Sequence, residues 1–226
     1  IDKKWYKKKY SKFNWSYLLM IKGIKICGIS DPKTLNYIIN HAYPPRFIGF
    51  ITNFKKSKRF VDYSILEKLL NVDKKNINFV SVLVNPNNKI LEKIKDMNFD
   101  YYQLYNVDPE RTMEIKRKYK KKIISALTVF NKEDVNEYKK YQEISEIILF
   151  DGKGYEKSIG FNHKLLNNLP SSLNKMIAGN IKIDDIPNFK NKEYLIDLSG
   201  GLENNYGKKD IKKINKLLNL AAKIWN

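Results

Sequence analysis

Cysteine is nearly absent from this chain: of 226 residues, one, Cys27, carries a thiol. A single cysteine excludes an internal disulfide framework and fits a reducing compartment, so the chain reads as cytoplasmic. Arginine is scarce too. Of 43 basic residues only four are Arg, at positions 46, 59, 111 and 117, and 39 are Lys. Readers of nucleic-acid backbones and bases use the planar arginine fork heavily, so the formal charge of +19 is weak support for such a partner. Lys, Asn and Ile are abundant together, a pattern that A/T-rich codons explain. The excess charge still favours anionic small molecules by long-range attraction. No apolar run approaches the roughly 20 residues that span a bilayer. The longest candidate near the start, Tyr17-Leu18-Leu19-Met20-Ile21, is far too short, so no membrane is expected. No cluster has metal-ligand spacing, and neither histidine, His41 or His163, sits in a chemical setting. Glycine is limited to ten residues, which makes the placement of each informative.

What is present is a repeat of strand and helix. From Ile24 onward, short β-type runs at 24–27, 47–51, 78–84, 100–104, 122–129, 146–150, 175–178 and 194–198 alternate with helical stretches. The helical stretches are expected at 32–41, 61–70, from 86, at 109–120, 132–141, 163–169, 184–189 and 208–224. Asp31 followed by Pro32 is a helix-start signature. Strand–helix alternation argues for a parallel sheet. Eight units in about 200 residues argue for an α/β protein of the (β/α)8 TIM-barrel type, a single domain over 24–226. An open doubly wound sheet is the structural alternative, but no glycine-rich dinucleotide fingerprint follows the first strand. Residues 1–23 stand outside the repeat. There Lys3, Lys4, Lys7, Lys8, Lys9 and Lys12 interleave with Trp5, Tyr6, Tyr10, Phe13, Trp15 and Tyr17. Such a mixture can bind single strands by stacking over a charged groove, but in so lysine-rich a chain it reads as an appended basic and aromatic extension.

In barrels of this class the site lies at the C-terminal ends of the strands. The polar residues there are Cys27, the loop Ser57-Lys58-Arg59, Asn85, Gln103, Asp151, Gly179-Asn180 and Ser199-Gly200-Gly201. A lone thiol is usually a small buried hydrophobe. At a strand end, just before a glycine turn, it becomes a candidate base or nucleophile. Cys27 and Asp151 form a possible base and acid across a bound substrate. Roughly a tenth of a free thiol is ionised at pH 7.5, and cationic neighbours are expected to raise that share. Asp151 needs partial burial to keep its proton. The Arg59 fork suits a carboxylate. Glycines after the seventh and eighth strands let backbone N–H groups approach an anion.

Ordered pieces of this sequence resemble the phosphoribosylanthranilate isomerase family. They are Lys25-Ile26-Cys27-Gly28-Ile29, Ile48-Gly49-Phe50 with Ser57-Lys58-Arg59, Asp100 through Gln103-Leu104, and Leu149-Phe150-Asp151. Ile177-Ala178-Gly179, Ile196-Asp197-Leu198-Ser199-Gly200-Gly201-Leu202-Glu203 and Gly207-Lys208-Lys209-Asp210 complete the series. The resemblance implies an Amadori rearrangement in tryptophan biosynthesis, with no metal or organic cofactor. It implies Asp151 as general acid, Cys27 as general base, and Arg59 on the anthranilate carboxylate. Gln103, Gly179, Asn180, Ser199, Gly200 and Gly201 become substrate-binding residues, the glycine loops holding phosphate. A monomer or weak homodimer is expected. Tyr105-Asn106 replaces the family's histidine-glycine, Gly179-Asn180-Ile181 has one glycine instead of two, and 155–160 and 199–201 also depart. The alternatives are a related barrel aminoaldose isomerase, which would pair two aspartates at positions 27 and 151, and a basic nucleic-acid-binding protein using residues 1–23.

Overall fold

Alternation at period two runs through every strand and sorts the side chains into two cores. The computed structural model describes residues 21–152, 159–190 and 192–225. The strands are β1 (Ile21–Cys27), β2 (Pro45–Ile51), β3 (Asn78–Val84), β4 (Tyr101–Tyr105), β5 (Lys122–Val129), β6 (Ile147–Gly152), β7 (Lys175–Ile177) and β8 (Tyr194–Leu198). Each pairs in parallel with the next, and β1 closes on β8, giving the expected barrel. β1 begins three residues before the predicted start, so 21–23 belong to the barrel wall and not to the extension. Residues 1–20, the rest of that extension, lie outside the described residues, as do 155–158 of the altered run after Asp151.

One face of the strands points outward. Ile24, Ile26, Phe50, Phe79, Tyr102 and Phe150 pack there against Leu35, Ile38, Leu66 and Leu217 of the surrounding helices. The other face fills the lumen, where Phe47, Val80, Tyr101, Ile124, Leu149 and Met176 meet. Fully burying one such side chain contributes about 1.5–3 kcal/mol.

Six α-helices are described: α1 (Pro32–Ile39), α2 (Tyr63–Leu70), α3 (Asn88–Ile94), α4 (Pro109–Tyr119), α5 (Lys132–Asn136) and α6 (Ile211–Trp225). Asp31 caps α1 as expected, its carboxylate accepting the Thr34 N–H at 2.8 Å. Asn87, Asp108 and Asn131 do the same for α3, α4 and α5, satisfying backbone donors that a helix start leaves free. α6 buries Ile214, Leu217, Leu218, Ala221 and Ala222, the one-sided spacing of a helix laid on a barrel. The later helical expectations are only partly met. His163–Leu166 and Ile183–Phe189 are 3-10 turns, and α5 continues as a 3-10 turn over Glu137–Lys140. Pro187 lies within the Ile183–Phe189 segment, where it removes a backbone donor. Among the described residues no helix is long and apolar enough to cross a membrane.

Candidate active site

The inward face of the strands carries its polar residues in a column toward the C-terminal end. Lys25 and Cys27 lie two apart on β1, Gln103 and Tyr105 two apart on β4, with Asp151 on β6 and Asp197 on β8. Above them opens a cleft of about 720 Å³, solvent at its mouth included. Cys27, Arg59, Tyr105, Asp151, Gly179 and Gly200 are among the residues that line it.

Cys27 is buried, 7% exposed. Beneath it the ammonium of Lys25, fully buried, sits 2.6 Å from Asp197 Oδ2 across the β1–β8 pairing. Gly49, the strand neighbour of Cys27, leaves the room for this arrangement: a Cβ there would lie 2.9 Å from Sγ and 3.2 Å from Lys25 Nζ. Burial pushes the thiol above its ordinary pKa, and the opposing pull of Lys25 and Lys209 does not overcome it. This corrects the expectation that basic surroundings enrich the thiolate. Lys25 is already engaged by Asp197, and Asp197 itself opposes ionisation of the thiol.

Asp151 is partly buried in the cleft wall. Burial raises its pKa, the hydroxyl that Tyr105 donates to Oδ2 at 2.8 Å lowers it, and the charge of Asp197 raises it again, leaving it at about 6. About a tenth of such a group is protonated at pH 7.

Arg59 reaches the cleft, but its fork is occupied. Its Nη2 donates to Glu203 Oε2 at 3.0 Å and its Nε to Oε1. Lys209, 2% exposed, adds its ammonium to Oε1 at 2.8 Å and donates to the Ser199 carbonyl at 3.0 Å. Burial raises the Glu203 pKa, yet the two cations bring it below the ordinary carboxylate value. The Ser199 hydroxyl, which lines the cleft, donates to the Cys27 carbonyl at 3.1 Å. Gly179, Asn180, Gly200 and Gly201 also line the cleft. Gly179 has φ +94°, and a Cβ there would lie 2.9 Å from the Gly152 nitrogen, so the β7 loop needs glycine at that point.

Gln103 does not reach the cleft. It is 1% exposed, absent from the lining, and donates to the Tyr105 hydroxyl at 3.2 Å. The residue that takes the uppermost inward position of β4 is Tyr105. Sequence reasoning gave no role to Tyr105, Glu203, Lys209, Lys25 or Asp197. Lys25 and Asp197 carried a signal, as charges placed at inward positions of otherwise apolar strands. The partnership of Arg59 with Glu203, 144 residues apart, had none. His163 packs between Phe161 and Phe189, its ring centroid 4.9 Å and 5.8 Å from theirs.

A thiol and a partly protonated carboxyl brought to one barrel mouth are the equipment of a (β/α)8 enzyme that works by acid–base chemistry. The family model for N-(5'phosphoribosyl)anthranilate (PRA) isomerase matches residues 24–220, and the chain belongs to that family. It is 30% identical over 214 residues to an N-(5'-phosphoribosyl)anthranilate isomerase of Rhizobium rhizogenes, covering 90% of this chain and 95% of that one. It is 30% identical over 203 residues to the same-named protein of Zymomonas mobilis subsp. pomaceae, covering 86% and 95%. The fold matches the crystal structure of phosphoribosyl anthranilate isomerase from Thermotoga maritima with a TM-score of 0.78 at 23% identity, covering 88% of this chain and 98% of that one.

Proposed function

We propose that this chain converts N-(5-phosphoribosyl)anthranilate to 1-(2-carboxyphenylamino)-1-deoxyribulose 5-phosphate, with Asp151 as acid and Cys27 as base. The observation that carries the assignment of roles is the pair itself: β1 and β6 present a thiol and a raised-pKa carboxyl to the same cleft. Asp151 gives its proton to the ribose ring oxygen as the ring opens to an iminium. Cys27 then removes the proton from the adjacent carbon, giving an enolamine that tautomerises to the ketone. Gly179, Asn180, Gly200 and Gly201 hold the phosphate, and Ser199 orders the loop between them and Cys27. Arg59 holds the anthranilate carboxylate in place of Glu203. The enzyme works in the cytoplasm as a monomer or weak homodimer, on a small phosphorylated substrate. Turnover of phosphoribosylanthranilate by the purified protein, and growth of a tryptophan auxotroph lacking this step, test the reading. No turnover and no growth with folded protein would refute it.

Arg59→Lys keeps the charge and loses the fork. A charge-assisted pair is worth about 1.5–3 kcal/mol, so KM is expected to rise about 10- to 100-fold with a smaller change in kcat. Steady-state kinetics check this.

The pH dependence follows from the two pKa directions. The working form needs Asp151 protonated and Cys27 ionised, yet Asp151 lies at about 6 and the thiol lies above its ordinary value. Below pH 6 Asp151 keeps its proton and the rate climbs tenfold per pH unit as thiolate forms. Between the two pKa values the gain in thiolate cancels the loss of protonated Asp151, and the rate is flat. Above the thiol pKa it falls as Asp151 continues to lose protons. The acid-side inflection of kcat/KM therefore marks Asp151, near pH 6. A rate still climbing tenfold per unit from pH 7 to 8 contradicts this assignment.

A further inference from the structure

The acid–base steps leave Tyr105 without a part, although it is buried at the barrel mouth and touches the acid. Tyr101 and Tyr105 share the lumen face of β4, and Gln103 lies between them on the same face. The side-chain amide of Gln103 donates to the Tyr105 oxygen at 3.2 Å, and the Tyr105 hydroxyl donates to Asp151 Oδ2 at 2.8 Å. Gln103 is 1% exposed, so solvent does not compete for this chain of donors. The other carboxyl oxygen, Oδ1, lies toward Gly179, where a Cβ would come within 3.4 Å of it, and Gly179 lines the cleft.

A phenol has one proton to donate, and a neutral carboxyl has one oxygen that accepts and one that carries hydrogen. An oxygen already receiving a hydroxyl proton is the accepting one. We propose that Tyr105, backed by Gln103, is a positioning residue that holds Oδ2 of Asp151 as the acceptor and so places the acidic proton on Oδ1, facing the substrate. Without it nothing fixes which oxygen carries the proton, and the carboxyl can turn away from the reacting atom. Burial first, and then the neighbouring Asp151, raise the Tyr105 phenol well above its ordinary pKa, so it stays a donor at every working pH. Asp151 also feels Asp197 from β8, Lys25 from β1 and the Gly152 backbone N–H, each more weakly than it feels Tyr105. The proposal rests on Asp151 being the acid.

Tyr105→Phe deletes one hydroxyl and keeps the ring. Misplacing a reacting group costs up to about 100-fold, so kcat is expected to fall about 10- to 100-fold with KM within about threefold. The acid-side inflection should move above pH 6, because the bond that lowers the Asp151 pKa is gone. In Asp151→Asn the added Tyr105→Phe change should cost nothing further. Unchanged kcat and pH profile in Tyr105→Phe overturn the proposal, as does a further tenfold loss in the double variant. If Asp151→Asn alone turns over normally, the assignment of the acid itself has failed, a distinct result. Should Tyr105→Phe not fold, Gln103→Met leaves the tyrosine in place and removes its support. A smaller loss of kcat with a smaller upward shift is then expected, and wild-type values overturn the proposal.

Discussion

Asp151→Asn is expected to abolish nearly all turnover while making the protein more stable at neutral pH. Proton transfer by a positioned side chain contributes about 10²- to 10⁴-fold to rate, so kcat should fall by about 10³-fold, and Cys27→Ala by a similar factor. The gain in stability comes from the same group. Asp151 is raised from 3.8 to about 6 in the folded protein, so the folded state binds its proton more tightly than the unfolded chain does. Its contribution is most favourable below pH 3.8, is lost as pH rises to about 6, and is flat above. The shift corresponds to up to about 3 kcal/mol of cost in the ionised state. Asparagine carries no such cost. The variant should melt higher than the wild type at pH 7.5, with the difference gone below pH 4. Thermal melts at both pH values, together with kcat, check the pair of effects. A folded Asp151→Asn that is active, or one that is less stable at pH 7.5, contradicts the account.

Lys25→Met carries the largest expected loss of stability. Lys25 is fully buried and its partner Asp197 nearly so, at 2.6 Å. Removing one member of such a pair leaves the other charge buried without compensation, which costs about 3–5 kcal/mol. The cost here belongs to Asp197, whose Oδ1 has no hydrogen-bond partner among the described residues. Urea unfolding should show that loss in Lys25→Met. Lys25→Met with Asp197→Leu should regain most of it, since a buried ion pair replaced by apolar groups of similar size is often neutral or better. The double variant should remain slow, because Cys27 then faces no cation below it and its pKa rises further. Recovery of both stability and rate would show that the pair has no part in the chemistry.

The barrel was legible in the sequence because period-two runs and helix-start residues are local signals. Asp31-Pro32 announced α1, and 78–84, 122–129 and 194–198 coincide with β3, β5 and β8. The rule that chemistry gathers where parallel strands end picks out Cys27, Arg59 and Asp151, which the structure brings to one cleft. The same rule misplaced Gln103. The fourth run reads from the sequence as ending at Leu104, whereas β4 continues to Tyr105. One more residue moves the uppermost inward position by a full pleat, from glutamine to tyrosine. The Arg59–Glu203–Lys209 cluster was hidden for another reason. Each member sits on a loop, where neither periodicity nor spacing fixes which side chains meet.

The grip of Glu203 on Arg59 means that the site contains a carboxylate of its own. Any incoming carboxylate must compete with one tethered to the same protein, whose local concentration is fixed by the chain and is on the order of millimolar or more. Small free carboxylates in the surrounding solution are poor rivals at that concentration. A molecule that anchors itself elsewhere in the cleft brings its own carboxylate to comparable local strength and can exchange places with Glu203. If Arg59 is where a substrate carboxylate binds, the barrel mouth is a two-key lock that favours molecules with two anionic groups over acids with one.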